Sequence, residues 1–160
     1  MADWIEEGAT APDFTLSDDA GKRVTLSTFR GQPVVLYFYP ADDTPGCTRE
    51  ACAFRDMRSE LAAHGTVVLG VSPDDVKSHE KFRRKHQLNF PLLADPDHAV
   101  AELYGAWREK NHYGKKSMGI QRSTFLIGPD GVVRRVWKRV QVDGHDLQVL
   151  QQLEHLQVPH

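Results

Sequence analysis

The stretch YPADDTPGCTREAC, residues 39–52, follows the apolar run VVLYFY of residues 34–39 and opens a helical pattern that continues over residues 48–63. The apolar run has the β-branched and aromatic composition of a buried strand, and Pro, Asp and Gly mark the turn after it. A strand that is apolar on both faces belongs in the middle of a sheet covered by helices. The stretch therefore predicts an α/β fold built around one strand–turn–helix unit.

The start of this helix is where the sequence places its first cysteine. Thr44 suits the N-cap and Pro45 the first helical position, which puts Cys47 in the first turn. Unpaired backbone N–H groups and the positive end of the helix dipole favour an anion there. A thiol at this position ionises more readily, and the thiolate is its reactive form.

Cys52, the second of the two cysteines, follows five positions after Cys47. A buried cysteine often acts as a small apolar side chain, and Thr-Pro-Gly could be an ordinary strand-to-helix turn. The N-terminal segment from Met1 to Glu7 has neither the basic nor the apolar region of a signal peptide, so we expect a reducing cytoplasm. Two nearby cysteines in that compartment favour catalysis or metal binding over a structural disulfide.

Length and composition bound the remaining possibilities. The chain has 160 residues, 40% of them hydrophobic and 26% charged, which fits a single globular domain over residues 1–160. Its formal net charge of -2 gives no reason to expect nucleic acid or an anionic membrane as a partner. No apolar run approaches the roughly 20 residues of a membrane span.

The rest of the chain alternates strand and helix patterns. We expect an N-terminal hairpin (14–16 with 24–26), a buried strand (67–71), an exposed basic helix from Asp74-Asp75 to His86 and an extended segment (90–93). A short helix ending near Tyr104, a long functional loop (105–119) and a hairpin (123–127 with 132–137) should follow. The closing helix (146–156) should carry Leu147, Leu150, Leu153 and Leu156 on one side. This order predicts a three-layer sandwich around a central mixed β-sheet, with an N-terminal β-hairpin.

Metal and acid–base sites are poorly supported. A zinc site needs about four Cys or His ligands, and no histidine lies near the cysteines in the sequence. We expect His79 and His86 on a solvated helix face, and the remaining histidines, among them His160, in turns or near the termini. Asp42-Asp43 suits turn and capping roles. No metal and no cofactor are expected.

The combination of Pro40, Thr44, Cys47 and Cys52 resembles the active-site motif of peroxiredoxins, and the Cys-x-x-x-x-Cys spacing resembles their bacterioferritin-comigratory, or Q-type, subgroup. The similarity continues in APDF (11–14), GVS (70–72), FPLL (90–93), GKK (114–116), RSTFLI (122–127) and GH (144–145), and so covers nearly the whole chain. At position 128 this chain has Gly, where the family more often has Asp before the Pro-Asp-Gly turn; the difference affects the turn and not the expected site. The resemblance implies a thioredoxin-like fold.

The resemblance also implies a role for each site residue. Cys47 would be the peroxidatic nucleophile, whose thiolate attacks a peroxide oxygen and becomes a sulfenic acid. Thr44 would direct its hydroxyl at the thiolate and the peroxide, in addition to any role as N-cap. Arg122 would enter from a strand end and stabilise the developing charge. Pro40 would shield the site from water.

Two further residues complete this expectation. Glu50, one turn beyond the nucleophile, would orient an arginine. Cys52 would be the resolving cysteine, which condenses with the sulfenic acid to an intramolecular disulfide. The resemblance implies hydrogen peroxide and organic hydroperoxides as substrates, thioredoxin or a similar dithiol as reductant, a role in antioxidant defence, and a monomer.

Two other functions stay open from the residues alone. One is a dithiol–disulfide oxidoreductase acting on proteins, although the cysteines do not form a Cys-x-x-Cys pair and Thr44 and Arg122 would have no role. The other is a thiol-bearing binding or holdase module without catalysis. Rapid consumption of hydrogen peroxide distinguishes the peroxidase from both.

Overall fold

A seven-stranded mixed sheet forms the middle layer. The computed structural model describes residues 3–157, so Met1, Ala2 and His160 of the sequence analysis lie outside the described residues. The strands are β1 (Thr15–Asp18), β2 (Arg23–Thr25), β3 (Val34–Phe38), β4 (Val67–Ser72), β5 (Leu92–Ala94), β6 (Trp107–His112), β7 (Lys115–Ile120), β8 (Ser123–Ile127) and β9 (Val133–Trp137). The order of strands in the seven-stranded sheet is β2-β1-β5-β4-β3-β8-β9. The helices are α1 (Pro45–Asp56), α2 (Arg58–Ala63), α3 (Val76–His86), α4 (Ala99–Tyr104) and α5 (His145–Gln157).

The central strand β3 is buried along its whole length, as its composition predicts. It pairs in parallel with β4, which pairs in parallel with β5, and it pairs antiparallel with β8 on its other side. The predicted hairpins are confirmed: β1 pairs with β2 from Thr15↔Thr25, and β8 pairs with β9. The predicted central mixed sheet is therefore present.

Side chains of β3 alternate between two apolar clusters, one on each face of the sheet. Val34, Leu36 and Phe38 join the cluster that contains residues of α4, while Val35 and Tyr37 join the cluster that contains residues of α1, α2, α3 and α5. This period of two is the geometry of a strand between two helical layers. The three-layer prediction is confirmed.

The predicted helix over 48–63 is wrong in its continuity, because the structure divides it into α1 and α2 at Met57. The backbone of Met57 has ψ near 9°, and its N–H is shared between the carbonyls of Ala53 and Phe54. Met57 is buried, and neither glycine nor proline marks the break in the sequence. Gly65, with φ of 65°, follows the end of α2 as predicted.

The predicted long loop over 105–119 is also wrong, because β6 and β7 form an antiparallel hairpin there. Its turn consists of Tyr113 and Gly114, both at positive φ, as the tight turns that suit hairpins require. The strands carry polar residues on both faces and are largely exposed beyond Trp107, so no alternation of apolar residues reveals them.

The closing helix α5 is confirmed, and its predicted leucine row is confirmed in part. Leu153 is fully buried and Leu150 packs against the same apolar cluster, whereas Leu147 is 56% exposed and Leu156 is 37% exposed. Val149, outside the predicted row, is fully buried. The short helices α3 and α4 lie where the sequence predicts them. None of the helices within residues 3–157 has the length and apolar character that crossing a membrane requires.

Candidate active site

The loop between β3 and α1 brings Cys47 to the carboxyl end of the central strand. Pro45 occupies the first turn of α1 and Thr44 the N-cap position, with extended backbone at φ of −94° and ψ of 155°. The Thr44 carbonyl accepts from the N–H of Thr48 at 2.8 Å. Cys47 is buried in this turn, with 1% of its surface exposed, near the unpaired N–H groups of the helix start.

The predicted side-chain cap by Thr44 is wrong. Its hydroxyl makes no capping bond and instead donates to the carbonyl of Ala41 at 3.0 Å, which closes the loop upon itself. The hydroxyl therefore fixes the backbone that leads into the helix. Its predicted interaction with the thiolate and the peroxide stays a prediction, as does the shielding role of Pro40, which lies partly buried in the same loop.

Arg122 reaches the cysteine from the short connection between β7 and β8. Its Nη2 lies 3.2 Å from Cys47 Sγ, and its Nη1 donates to Glu50 Oε1 at 2.8 Å. Gly46 leaves room for this approach, since a Cβ there would lie 3.1 Å from Nη2, closer than an ordinary contact. The carbonyl of Arg122 accepts from the N–H of Val140 at 3.1 Å, which holds the strand end in place.

Glu50 lies one turn after Cys47 with 2% of its surface exposed. Burial raises its pKa from the ordinary 4.5 to about 7, although the Arg122 guanidinium acts in the opposite direction. Burial alone would lower the pKa of Arg122, but Glu50 and Cys47 outweigh it and raise that pKa. Among the described residues Glu50 Oε2 has no hydrogen-bond partner. The structure thus brings together three of the predicted site residues, Cys47, Glu50 and Arg122.

Cys52 lies farther along α1, partly exposed, and both cysteines are free thiols. Five residues of α-helix place the two Cα atoms about 8–9 Å apart, beyond the roughly 7 Å that a disulfide spans. Arg55, three residues later, donates from Nη1 to the carbonyl of His86 at 2.6 Å. Asn89 Nδ2 donates to the Arg55 carbonyl at 3.1 Å, so the second half of α1 is tied to the end of α3.

His79 is a correction to the sequence analysis, because it is fully buried and does not lie on a solvated face. Its Nδ1 lies 2.8 Å from Asp42 Oδ2, and its Nε2 lies 2.9 Å from the carbonyl of Leu93. Asp42 also accepts from the hydroxyls of Tyr39 at 2.6 Å and Ser78 at 2.7 Å. This network ties the loop before Cys47 to α3 and β5, and the polar pattern of α3 hides it from sequence reasoning.

Asp42, Asp74 and His79 also place potential metal-ligand atoms within 4.8 Å of one another. Each of these residues already makes hydrogen bonds: Asp74 Oδ2 accepts from the Asp42 N–H at 2.8 Å and from Ser72 Oγ at 2.6 Å. The group is therefore accounted for as a hydrogen-bond network. The expected absence of a metal stays a prediction.

The β6–β7 hairpin carries a partly buried lysine, Lys110, in the segment that the sequence analysis predicts as a loop. Burial lowers the pKa of Lys110, the Arg122 charge lowers it further, and Cys47 acts in the opposite direction.

Comparison with known proteins agrees with this geometry. A model of the AhpC/TSA family matches residues 8–136. A putative peroxiredoxin bcp of Coxiella burnetii is 52% identical over 149 residues, covering 93% of this chain and 99% of that protein. Peroxiredoxin Bcp of Bacillus subtilis is 47% identical over 152 residues, covering 95% of this chain and 97% of that protein.

Solved structures give the same result for the fold. The bacterioferritin comigratory protein of Xanthomonas campestris, studied for alkyl peroxide reduction in trapped intermediate and ligand complexes, superposes with a TM-score of 0.88 at 42% identity, covering 95% of this chain and 97% of that one. The arrangement of the central mixed sheet between helical layers is thus that of a thioredoxin-like fold.

Proposed function

The chain belongs to the AhpC/TSA family, and on that premise we propose that it is a thiol-dependent peroxidase in which Cys47 is the peroxidatic nucleophile. The observation that carries the assignment is the 3.2 Å contact between Cys47 Sγ and Arg122 Nη2 at the first turn of α1. A guanidinium and a helix N-terminus both stabilise a thiolate, the form of cysteine that attacks peroxides.

In the proposed reaction the Cys47 thiolate attacks the terminal oxygen of the peroxide and the O–O bond breaks. Cys47 becomes a sulfenic acid, and the other oxygen leaves as hydroxide or alkoxide and takes up a proton to give water or an alcohol. Arg122 stabilises the charge on sulfur and on the reacting oxygens, and Glu50 holds the guanidinium in position through its 2.8 Å bond to Nη1. Thr44 directs its hydroxyl at the reacting atoms and Pro40 limits access of water. Burial of Cys47 supports this picture, because a dry site strengthens these interactions.

Cys52 completes the proposed cycle as the resolving cysteine. Its thiolate attacks the sulfenic sulfur of Cys47, hydroxide leaves and takes up a proton to become water, and an intramolecular disulfide forms. An external thiol reductant returns both cysteines to thiols, and we propose thioredoxin or a similar dithiol for this step. Because the cysteines share α1, the helix must open between them before the disulfide closes.

The proposed substrates are hydrogen peroxide and organic hydroperoxides. Support for the organic class comes from the similar protein of X. campestris, which was studied for its alkyl peroxide reduction. We further propose that residues 1–160 form one domain that acts as a monomer in the cytoplasm, in antioxidant defence.

The test is peroxide-dependent turnover with a thioredoxin system, in wild type and in two matched cysteine variants. Cys47→Ser should abolish turnover, because a serine hydroxyl does not ionise near neutral pH. Cys52→Ser should still consume about one equivalent of peroxide per chain but should not turn over with thioredoxin. Turnover that survives in Cys47→Ser would contradict the assignment. Dithiol–disulfide exchange with proteins, without peroxide consumption, would favour the oxidoreductase alternative.

A further inference from the structure

Helix α3 is bonded to the chain on both sides of the two cysteines. Before the cysteines, Asp42 Oδ2 lies 2.8 Å from Nδ1 of His79 on α3. After them, Arg55 donates to the carbonyl of His86, the last residue of α3, at 2.6 Å. Residues 43–54 between these attachments contain both cysteines and the helix turns that must open before the proposed disulfide forms. Helix α3 therefore holds both ends of the segment that carries the chemistry.

The carboxyl group of Asp42 is the more enclosed of the two attachments, with 4% of its side-chain surface exposed. It accepts from the hydroxyls of Tyr39 at 2.6 Å and Ser78 at 2.7 Å, besides its contact with His79. Its backbone N–H donates to Asp74 Oδ2 at 2.8 Å. Four groups, from the end of β3, from α3 and from the connection between β4 and α3, thus fix one residue of the β3–α1 loop.

The two ring nitrogens of His79 define the protonation of this contact. The Leu93 carbonyl, 2.9 Å from Nε2, only accepts, so Nε2 carries a proton. A second proton must lie between Nδ1 and Asp42 Oδ2, since two lone pairs would otherwise face each other at 2.8 Å. An amide at position 42 would satisfy the same ring, because its N–H would donate to Nδ1 of the neutral imidazole.

The neighbours of Asp42 in the loop are residues that the proposed function places beside the peroxide. Pro40 lies two positions before Asp42, and Thr44 lies two positions after it. The Thr44 hydroxyl donates to the carbonyl of Ala41 at 3.0 Å, and the Thr44 carbonyl accepts from the N–H of Thr48 at 2.8 Å. Through Ala41, its neighbour in the chain, Asp42 is therefore connected to the first turn of α1.

We propose that Asp42 is a positioning residue for the peroxidase reaction, held by α3 and holding the β3–α1 loop in the geometry that reacts with peroxide. The inference rests on the proposed peroxidase function. While the loop is held, Thr44 and the start of α1 keep their places during the attack of the Cys47 thiolate. The same attachment opposes the opening of α1, so it slows the formation of the disulfide with Cys52. Loss of the hydrogen bonds of Asp42 therefore changes the two steps in opposite directions.

The test measures two rate constants of the reduced protein, the second-order reaction with hydrogen peroxide and the disulfide formation that follows, by stopped flow and quenched-sample mass spectrometry. Asp42→Ala removes all the side-chain bonds, whereas Asp42→Asn replaces them, with the amide donating to His79 Nδ1 and Ser78 Oγ. Asp43→Asn is the matched control. It removes a carboxylate from the next position, where the side chain is 49% exposed and pairs with Lys85, and asparagine tolerates the positive φ there.

Asp42→Ala should lose about 10-fold or more in the rate constant with hydrogen peroxide, because a displaced loop misplaces the reacting groups. Its disulfide formation should become about 10-fold faster, since hydrogen bonds to a charged group no longer oppose opening. Asp42→Asn should recover most of both changes, and Asp43→Asn should stay within about 5-fold of wild type. A parallel fall of both rate constants in Asp42→Ala, no change in either, or an Asp42→Asn as impaired as Asp42→Ala would each overturn the proposal.

A second variant makes the same test if Asp42→Ala does not fold. Tyr39→Phe combined with Ser78→Ala removes two bonds to Asp42 and keeps the contact with His79. It should show the same opposite changes at smaller size, and parallel or absent changes would overturn the proposal. A wild type no faster with hydrogen peroxide than free cysteine is a separate outcome, which would contradict the peroxidase function itself and the proposal with it.

Discussion

The guanidinium of Arg122 contacts both the thiol of Cys47 and the buried carboxyl group of Glu50, and these two contacts hold the three side chains together. The two bonds, 3.2 Å to Cys47 Sγ and 2.8 Å to Glu50 Oε1, use different nitrogens of one planar group. The sequence motif predicted that Cys47, Glu50 and Arg122 share one site, but it predicted neither the distances between their atoms nor the protonation state of Glu50. The burial that raises the pKa of Glu50 depends on packing around α1, which residue types alone do not reveal.

The raised pKa of Glu50 predicts a pH dependence of stability. Its value is about 7 in the folded protein against 4.5 in the unfolded chain, so the folded protein binds this proton more tightly. The resulting stabilisation is fully present below about pH 4.5 and is lost as the pH rises through about 7, a change of about 3 kcal/mol. Glu50→Gln should remove this part of the pH dependence.

Urea unfolding at a series of pH values measures the effect, with Glu60→Gln as control, since Glu60 is an exposed carboxylate on α2. As the pH rises from about 4.5 to about 8, wild type should lose more free energy of unfolding than Glu50→Gln, so the variant becomes more stable relative to wild type. Parallel pH profiles for the two proteins would contradict the assignment of a raised pKa.

At the scale of elements, α1 carries Cys47, Glu50 and Cys52, to which we assign the proposed chemistry. The proline, the N-cap position and the two cysteines were readable in the sequence, because local patterns determine helix starts. The break at Met57 was not, since a buried methionine carries no helix-breaking signal. The β6–β7 hairpin was missed because exposed strands lack an apolar alternation, and with it the position of Lys110.

The shared helix predicts a local unfolding step on oxidation. Cα atoms about 8–9 Å apart on an intact helix cannot be bridged by a disulfide. Hydrogen exchange should therefore show loss of protection over residues 45–54 in the disulfide form. The change should stop near Arg55, which is bonded to the end of α3 at 2.6 Å.

Two controls make this exchange experiment decisive. The buried strand β3 should keep its protection in both states. Cys52→Ser treated with one equivalent of peroxide should retain its helix, because it forms a sulfenic acid without a disulfide. Equal protection of residues 45–54 in reduced and disulfide forms, with the disulfide verified by mass spectrometry, would contradict the account.

At the scale of the whole molecule, the fold follows from a few buried strands and their connections. The run at β3 is apolar throughout and those at β4 and β8 are mostly apolar, which places these strands in the centre of the sheet. The order of the strand and helix patterns then predicts the three layers. Long-range contacts such as the one between His79 and Asp42 could not be predicted, because they join residues 37 positions apart on a helix with a polar pattern.

The proposal of a single domain predicts one cooperative unfolding transition. The tryptophans report on different parts of the structure. Between ring centroids, Trp4 lies 6.2 Å from Phe125, Trp107 stacks on His98 at 3.7 Å, and Trp137 lies 5.3 Å from His145. Tryptophan fluorescence and far-ultraviolet circular dichroism should therefore give coincident urea transitions for the reduced protein. Two separate transitions would contradict a single domain.

The central claim is that Cys47, beside Arg122, is a peroxide-reactive thiolate. The second-order rate constant of the reduced protein with hydrogen peroxide tests this claim most directly. Stopped-flow measurements should give a rate orders of magnitude above that of free cysteine. The fast phase should be absent in Cys47→Ser and retained in Cys52→Ser, where mass spectrometry should find one added oxygen at Cys47. A wild-type rate equal to that of free cysteine, or a fast phase that persists without Cys47, would contradict the account.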